Sequence, residues 1–228
     1  SHQYPTGVTL SLARRLQLLE WAEREQAWIV EDDYDGEYRY RGTPLAPLAA
    51  LDRQGRVLYV GTFSKVAFPG LRLGYLVVPP ALAEPFAQLL AVTVRHSEIG
   101  TQAVMAAFIA GGHFQRHIRR MRRAARTRRD AVLRGWPESI AGCQPLPLVE
   151  AGLHLSVGVE SLAREHELIA QAAAVGVELN GLSRYWLPEA AASGDAAQDA
   201  RAGLVLGFAG VPEAQIAKAL AALRRAWA

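Results

Sequence analysis

One cysteine, two lysines and no long apolar run set the first limits on this 228-residue chain. Cys143, being alone, excludes an internal disulfide and leaves no thiol cluster for zinc, so no metal site is expected. No stretch approaches the roughly 18 consecutive apolar residues of a membrane span, and SHQYPTG lacks the charged-then-apolar layout of a signal peptide. These absences predict a soluble, cytoplasmic protein without a membrane partner. Excess charge is also scarce: 25 basic against 22 acidic residues leaves a net +3, which does not support nucleic-acid binding by overall charge. The chain opens without methionine, in what reads as a strand-to-turn segment, so we expect it to be part of a longer protein.

Half the side chains are hydrophobic, enough for a sizeable core. Pro5-Thr6-Gly7 signals a turn, and Thr9 or Ser11 is placed to cap a helix in which Leu12, Leu16, Leu19 and Ala22 recur at helical spacing, to about Arg24. Ala27 to Val30 is a short apolar run closed by Glu31-Asp32-Asp33, read as a buried strand. Val57 to Val60 and Leu71 to Val78 are further strands, ended by Pro79-Pro80. Helical patterns follow at 81–93, 101–110 and 113–134. Beyond Trp136-Pro137 the strands shorten: Gly152 to Val157, Val177 to Leu179 and Leu204 to Phe208 alternate with helices at Ser161 to Val175 and Pro212 to Trp227. Ala190 to Ala202 is a low-complexity loop. The pattern predicts an α/β domain over 1–137 and a smaller α+β domain over 138–228.

Strand tips in an open α/β sheet are where ligands bind, which directs attention to the acids after Val30 and to Thr62-Phe63-Ser64-Lys65. A lysine in that place has the amine for Schiff-base chemistry if a cleft desolvates it; the plainer reading is a solvated surface lysine. Scarcity favours the first, because Lys65 and Lys218 stand against 23 arginines. Asp32 is suited to hold a protonated pyridine nitrogen, and Tyr34 to donate to a ring phenolate. Thr62, Ser64 and Arg72 offer two hydroxyls and a guanidinium for a phosphate. Each also has an ordinary structural alternative as a cap or surface ion pair.

SHQYPTG, WIVEDDYDGEYRY and GTFSKVAFPGLRLGYLVVP, with AGLHLSV, GLSRY and LVLGFAG further on, resemble fold type I pyridoxal-phosphate proteins. The resemblance is greatest to the aminotransferase-like domain of MocR-type transcriptional regulators, the GntR-related group that includes GabR-like and PdxR-like proteins. It implies the C-terminal part of the large, mostly parallel-sheet pyridoxal-phosphate-binding domain of that fold over 1–137, followed by the small C-terminal α+β domain over 138–228. It also implies that Lys65 forms the internal aldimine of pyridoxal 5'-phosphate, Asp32 pairs with the pyridine nitrogen, Tyr34 contacts the ring oxygen, and Thr62, Ser64 and Arg72 hold the phosphate.

Two departures from ordinary aminotransferases stand out. Tyr4 occupies the place of the asparagine in Asn-Pro-Thr-Gly, so the contact to the ring oxygen is replaced or lost. Leu204-Val205-Leu206 lacks the last-strand arginine that takes a substrate carboxylate, a role the resemblance transfers to Arg184 of GLSRY, whose plainer reading is a surface arginine after a glycine turn. His154 reads as a packed strand histidine, and Asp33, Asp35 and Glu37 as solvated or structural acids. The family further implies a homodimer, an amine or amino-acid effector (or pyridoxal phosphate itself) sensed at Lys65, and DNA contact through a winged helix-turn-helix outside this chain. It also implies that the phosphate turn and the ring-stacking residue precede position 1, so that this chain alone binds cofactor weakly or not at all. The alternative function is a pyridoxal-phosphate-dependent class I/II aminotransferase. Nine arginines between His113 and Arg134 form a basic helix, read as a solvated face that packs along Ile118, Met121, Ala125 and Val132, with auxiliary contact to DNA as the other reading.

Overall fold

Two parallel strands set the frame of the first half: β1 (Ile29–Asp33) pairs with β2 (Val57–Thr62) from Ile29 opposite Val57 to Asp33 opposite Gly61. The computed structural model describes residues 2–43, 45–95, 98–187, 199 and 201–228. They cluster into two units, one drawn from His2, Thr9–Glu37 and Gly42–Met121, the other from Gln3–Val8, Tyr38–Arg41 and Arg122–Ala228.

In the first unit, α1 (Leu12–Arg24) starts at Ser11, whose hydroxyl accepts from Arg14 N, as a capping serine should. β1 runs through the acids instead of stopping before them, and the pleat separates their surroundings: Glu31 is buried while Asp32 is exposed. Glu31 accepts from Leu48 N (2.8 Å) and Ala49 N (3.0 Å), the first amides of α2 (Leu48–Leu51). Pro47, at that helix's N-cap, has no side chain able to do so.

β3 (Gly74–Val77) lies antiparallel to β2. The connection over 63–73 is too short for the crossover of about a dozen or more residues that a parallel neighbour requires. The strand expected from Leu71 starts at Gly74, because Pro69–Leu71 form a 3-10 turn and Arg72 is left-handed (φ 49°). Helices α3 (Pro80–Thr93), α4 (Ile99–Ala110) and α5 (His113–Gly135) follow, with the division between units inside α5. The expected packing stripe of α5 holds: Ile118, Ala125 and Val132 are buried and Met121 half-buried, while Arg116, Arg119, Arg120, Arg122, Arg123 and Arg126 are exposed.

The second unit is a sheet in the order β4-β6-β5, antiparallel throughout: β4 (His154–Gly158), β5 (Asn180–Gly181) and β6 (Gly203–Gly207). It packs with α6 (Leu162–Ala174) and α7 (Glu213–Ala226) around Leu155, Val157, Leu168, Leu204, Phe208 and Leu223, all nearly inaccessible. Full burial of each such side chain stabilises by roughly 1.5–3 kcal/mol. Ser161 and Asp199 cap α6 by accepting from Arg164 N (3.1 Å) and Leu162 N (2.7 Å). The strand expected at Val177 to Leu179 appears one step later, at Asn180–Gly181: Gly176 (φ 75°) ends the helix and Val177 N still bonds back to Ala172 O. Most of the loop expected at Ala190 to Ala202 lies outside the described residues.

Candidate functional site

Parallel pairing puts the C-terminal ends of β1 and β2 side by side, and six of the expected site residues lie at or just beyond them. Asp32 stands opposite Val60 and is exposed. Tyr34 follows the strand, its hydroxyl 3.3 Å from Nδ1 of His2, which donates to Oδ2 of Asp35 (3.0 Å). His2 and Asp35 are buried, 8% and 1% exposed, so Asp35 is structural, not solvated. Asp33 folds the next turn by accepting from Gly36 N (3.0 Å) and also accepts from the Tyr59 hydroxyl (2.7 Å). Burial first, and that carboxylate second, raise the Tyr59 pKa well above the usual tyrosine range.

Thr62 ends β2 and opens the lysine turn by accepting from Ser64 N (3.1 Å). Phe63 N donates to Leu73 O (3.1 Å) and Ala67 N to Phe63 O (2.8 Å), which close the turn on both sides. Val66 is 1% exposed and anchors it, while its neighbour Lys65 is exposed. Phe63 packs on Tyr75 and Phe114. Gly61 has no side chain because the Tyr75 ring occupies that space. Arg72, exposed, follows the 3-10 turn.

Tyr4 and Arg184 belong to the other unit. The Gln3–Val8 turn, whose Tyr4-Pro5 bond is cis, is fastened to β4: His154 Nε2 donates to Pro5 O (2.9 Å) and the Ser156 hydroxyl donates to the same oxygen (2.5 Å). His154 is thus the packed strand histidine the sequence suggested, buried and edge-on to the Tyr4 ring at 4.8 Å. The Tyr4 and Tyr185 hydroxyls meet at 2.6 Å with their rings edge-to-face. That bond, with burial second, pushes the Tyr4 pKa up to about 12, against the opposing pull of Arg184. Arg184, exposed at the end of the 3-10 turn Leu182–Tyr185, donates to Asn180 Oδ1 (2.8 Å).

Sequence reasoning missed Tyr185, His2 and Glu165. Glu165 interrupts an otherwise apolar helical spacing of Leu162, Leu168 and Ala172, which was the available signal. It is completely buried, and its carboxylate accepts from the Ser183 hydroxyl, Ser183 N and Gly203 N.

The fold is that of the fold type I aminotransferases, the class to which its structural neighbours belong. Residues 1–169 match the family described as aminotransferase class I and II, and the chain belongs to that family. It is homologous to the aminotransferase-like region of helix-turn-helix regulators. It is 37% identical over its whole length to the probable rhizopine catabolism regulatory protein MocR of Rhizobium meliloti, covering 44% of that protein. It is 35% identical over 82% of its length to the pyridoxine biosynthesis regulator PdxR of Corynebacterium glutamicum, covering 40% of it. Among solved structures, the kynurenine aminotransferase of Pyrococcus horikoshii, determined in complex with PMP, superposes with a TM-score of 0.81 at 30% identity, over 98% of this chain and 53% of that one. The chain spans about half the length of the relatives it matches. Among the described residues, no helix is long and apolar enough to cross a membrane.

Proposed function

We propose that this chain is the pyridoxal-phosphate-binding effector domain of a MocR-type transcription regulator. The observation that carries the cofactor reading is the β1–β2 register, which sets Asp32 beside the end of the strand that leads into Thr62, Ser64 and Lys65. The donor set fits the group: one carboxylate for a ring N–H, one phenol, one primary amine, and two hydroxyls with a guanidinium for a phosphate dianion. When bound, pyridoxal phosphate supplies an aldehyde that condenses reversibly with amines. Asp32 would keep the proton on the ring nitrogen, Tyr34 and Tyr4 would address the ring oxygen, and Thr62, Ser64 and Arg72 would hold the phosphate. Lys65 would supply the primary amine beside the aldehyde, and Arg184 would receive the carboxylate of an amino-acid effector.

Signalling then requires that the effector bind one arrangement of the whole protein better than another. DNA would be contacted by a winged helix-turn-helix in the longer protein, which we read as a cytoplasmic homodimer. α3 and β3 bury none of their residues, and Leu76, Val77, Leu89, Leu90 and Val92 are exposed, which supports a larger assembly around the first unit. We also propose that 138–228 acts as the small C-terminal domain.

The second reading, an aminotransferase, is favoured by the 30% identity to the Pyrococcus enzyme. Turnover by the full-length protein separates them. With cofactor, an amino donor and a keto acid, a regulator is expected to stay far below about 1 per second, and a rate above that overturns the regulator reading.

A further inference from the structure

Glu165 is a fully buried acid that the site chemistry above does not use. A buried carboxylate is tolerated only when its oxygens are hydrogen-bonded, and what bonds it shows which parts of the chain it holds in place. Its donors come from two segments distant in sequence: Ser183, by both hydroxyl and amide, and Gly203, whose amide at the start of β6 is 2.7 Å from Oε2. Gly181 is accommodated to the same carboxylate, because a Cβ there would overlap Oε1. Two residues of GLSRY, Gly181 and Ser183, are therefore explained by Glu165, and Arg184 comes immediately after. Asn180, which accepts from Arg184 at 2.8 Å, lies at the other end of the same stretch.

We propose that Glu165 is a positioning residue for Arg184. From the base of α6 its carboxylate fixes the Asn180–Tyr185 segment and thereby sets the orientation in which Arg184 meets the carboxylate of an amino-acid effector. This rests on the reading of Arg184 as the effector's carboxylate contact. Ser183 carries the coupling, since its side chain faces the buried acid while the next residue is exposed. Glu165 touches neither effector nor cofactor; it acts through the backbone of the segment.

A role limited to stability would weaken binding of all amines alike, whereas positioning of Arg184 affects only ligands with a carboxylate. The test uses the full-length protein with pyridoxal phosphate and follows the change in cofactor absorbance on titration. The probes are 4-aminobutyrate and L-alanine, each against the amine lacking its carboxylate, propylamine and ethylamine. The carboxylate preference is the ratio of affinities within each pair. Glu165→Ala is expected to lower this preference about tenfold, the scale of one charge-assisted contact, with the amines little changed. Ser183→Ala, which leaves the buried acid two amide donors, is expected to lower it in the same direction and serves if Glu165→Ala does not fold. In the Arg184→Ala background neither substitution should lower the preference further. A folded Ser183→Ala or Glu165→Ala protein with undiminished preference, while Arg184→Ala loses it, overturns the positioning role alone. If Arg184→Ala keeps the preference, or the unaltered protein has none, the reading of Arg184 fails and the positioning role with it.

Discussion

The hydroxyls of Tyr4 and Tyr185, 181 positions apart in sequence, meet at 2.6 Å. The tyrosine that stands where aminotransferases carry asparagine is thereby joined to the residue that follows Arg184. Tyr4 is 45% exposed, so its proton is held by this partner more than by burial.

The pair should be visible in an alkaline titration. A tyrosine pKa raised in the folded state favours folding fully below the unfolded value of 10, and that contribution is lost as pH rises through about 12. In Tyr185→Phe the Tyr4 pKa should return towards its ordinary range. Ultraviolet difference titration of tyrosinate, compared with Tyr4→Phe, measures this; an unchanged high-pH step in Tyr185→Phe would remove Tyr185 as its cause.

Lys65→Ala should abolish the visible absorbance that full-length protein acquires with pyridoxal phosphate. An unchanged spectrum would mean that another amine carries the cofactor.

Arg72→Ala should weaken cofactor binding about 10- to 100-fold, the range of a lost charge-assisted hydrogen bond to phosphate. Equilibrium dialysis against pyridoxal phosphate and against pyridoxal gives the test. The loss should be confined to the phosphorylated form.

Gly181→Ala should destabilise by roughly 1–3 kcal/mol in chemical denaturation, because the new methyl overlaps a buried carboxylate that has nowhere to retreat. Gly176→Ala is the control: apart from its own chain neighbours nothing lies within 4 Å of its Cβ position, so only its positive φ opposes the change.

Most of the element order and the lysine turn were legible because each depends on local signals: helical spacing in 12–24, a serine cap and an apolar run at Val57; the short helix Leu48–Leu51 was not among the expected elements. The packing stripe of α5 was legible for the same reason. Two further things were not. The start of β3 depended on a 3-10 turn and a left-handed Arg72, which local pattern does not distinguish from an extended run. The links from Glu165 to Ser183 and from Tyr4 to Tyr185 join residues 18 and 181 positions apart, and no spacing rule reports such distances. The acids of β1 were visible as a cluster, but which of them faced inward was set by the pleat.

That pleat has a consequence for how the chain tolerates change. Glu31, Asp32 and Asp33 look interchangeable in sequence, yet one caps α2, one is exposed at the strand end, and one folds the next turn and binds Tyr59. A single-residue deletion within Ile29-Val30 would keep all three acids and their order but reverse their facing. The residue brought to the inward-facing place would be Asp32, one methylene shorter than Glu31, set against the Leu48 and Ala49 amides that Glu31 now caps. In this strand reading frame, more than composition, is what a mutation has to preserve.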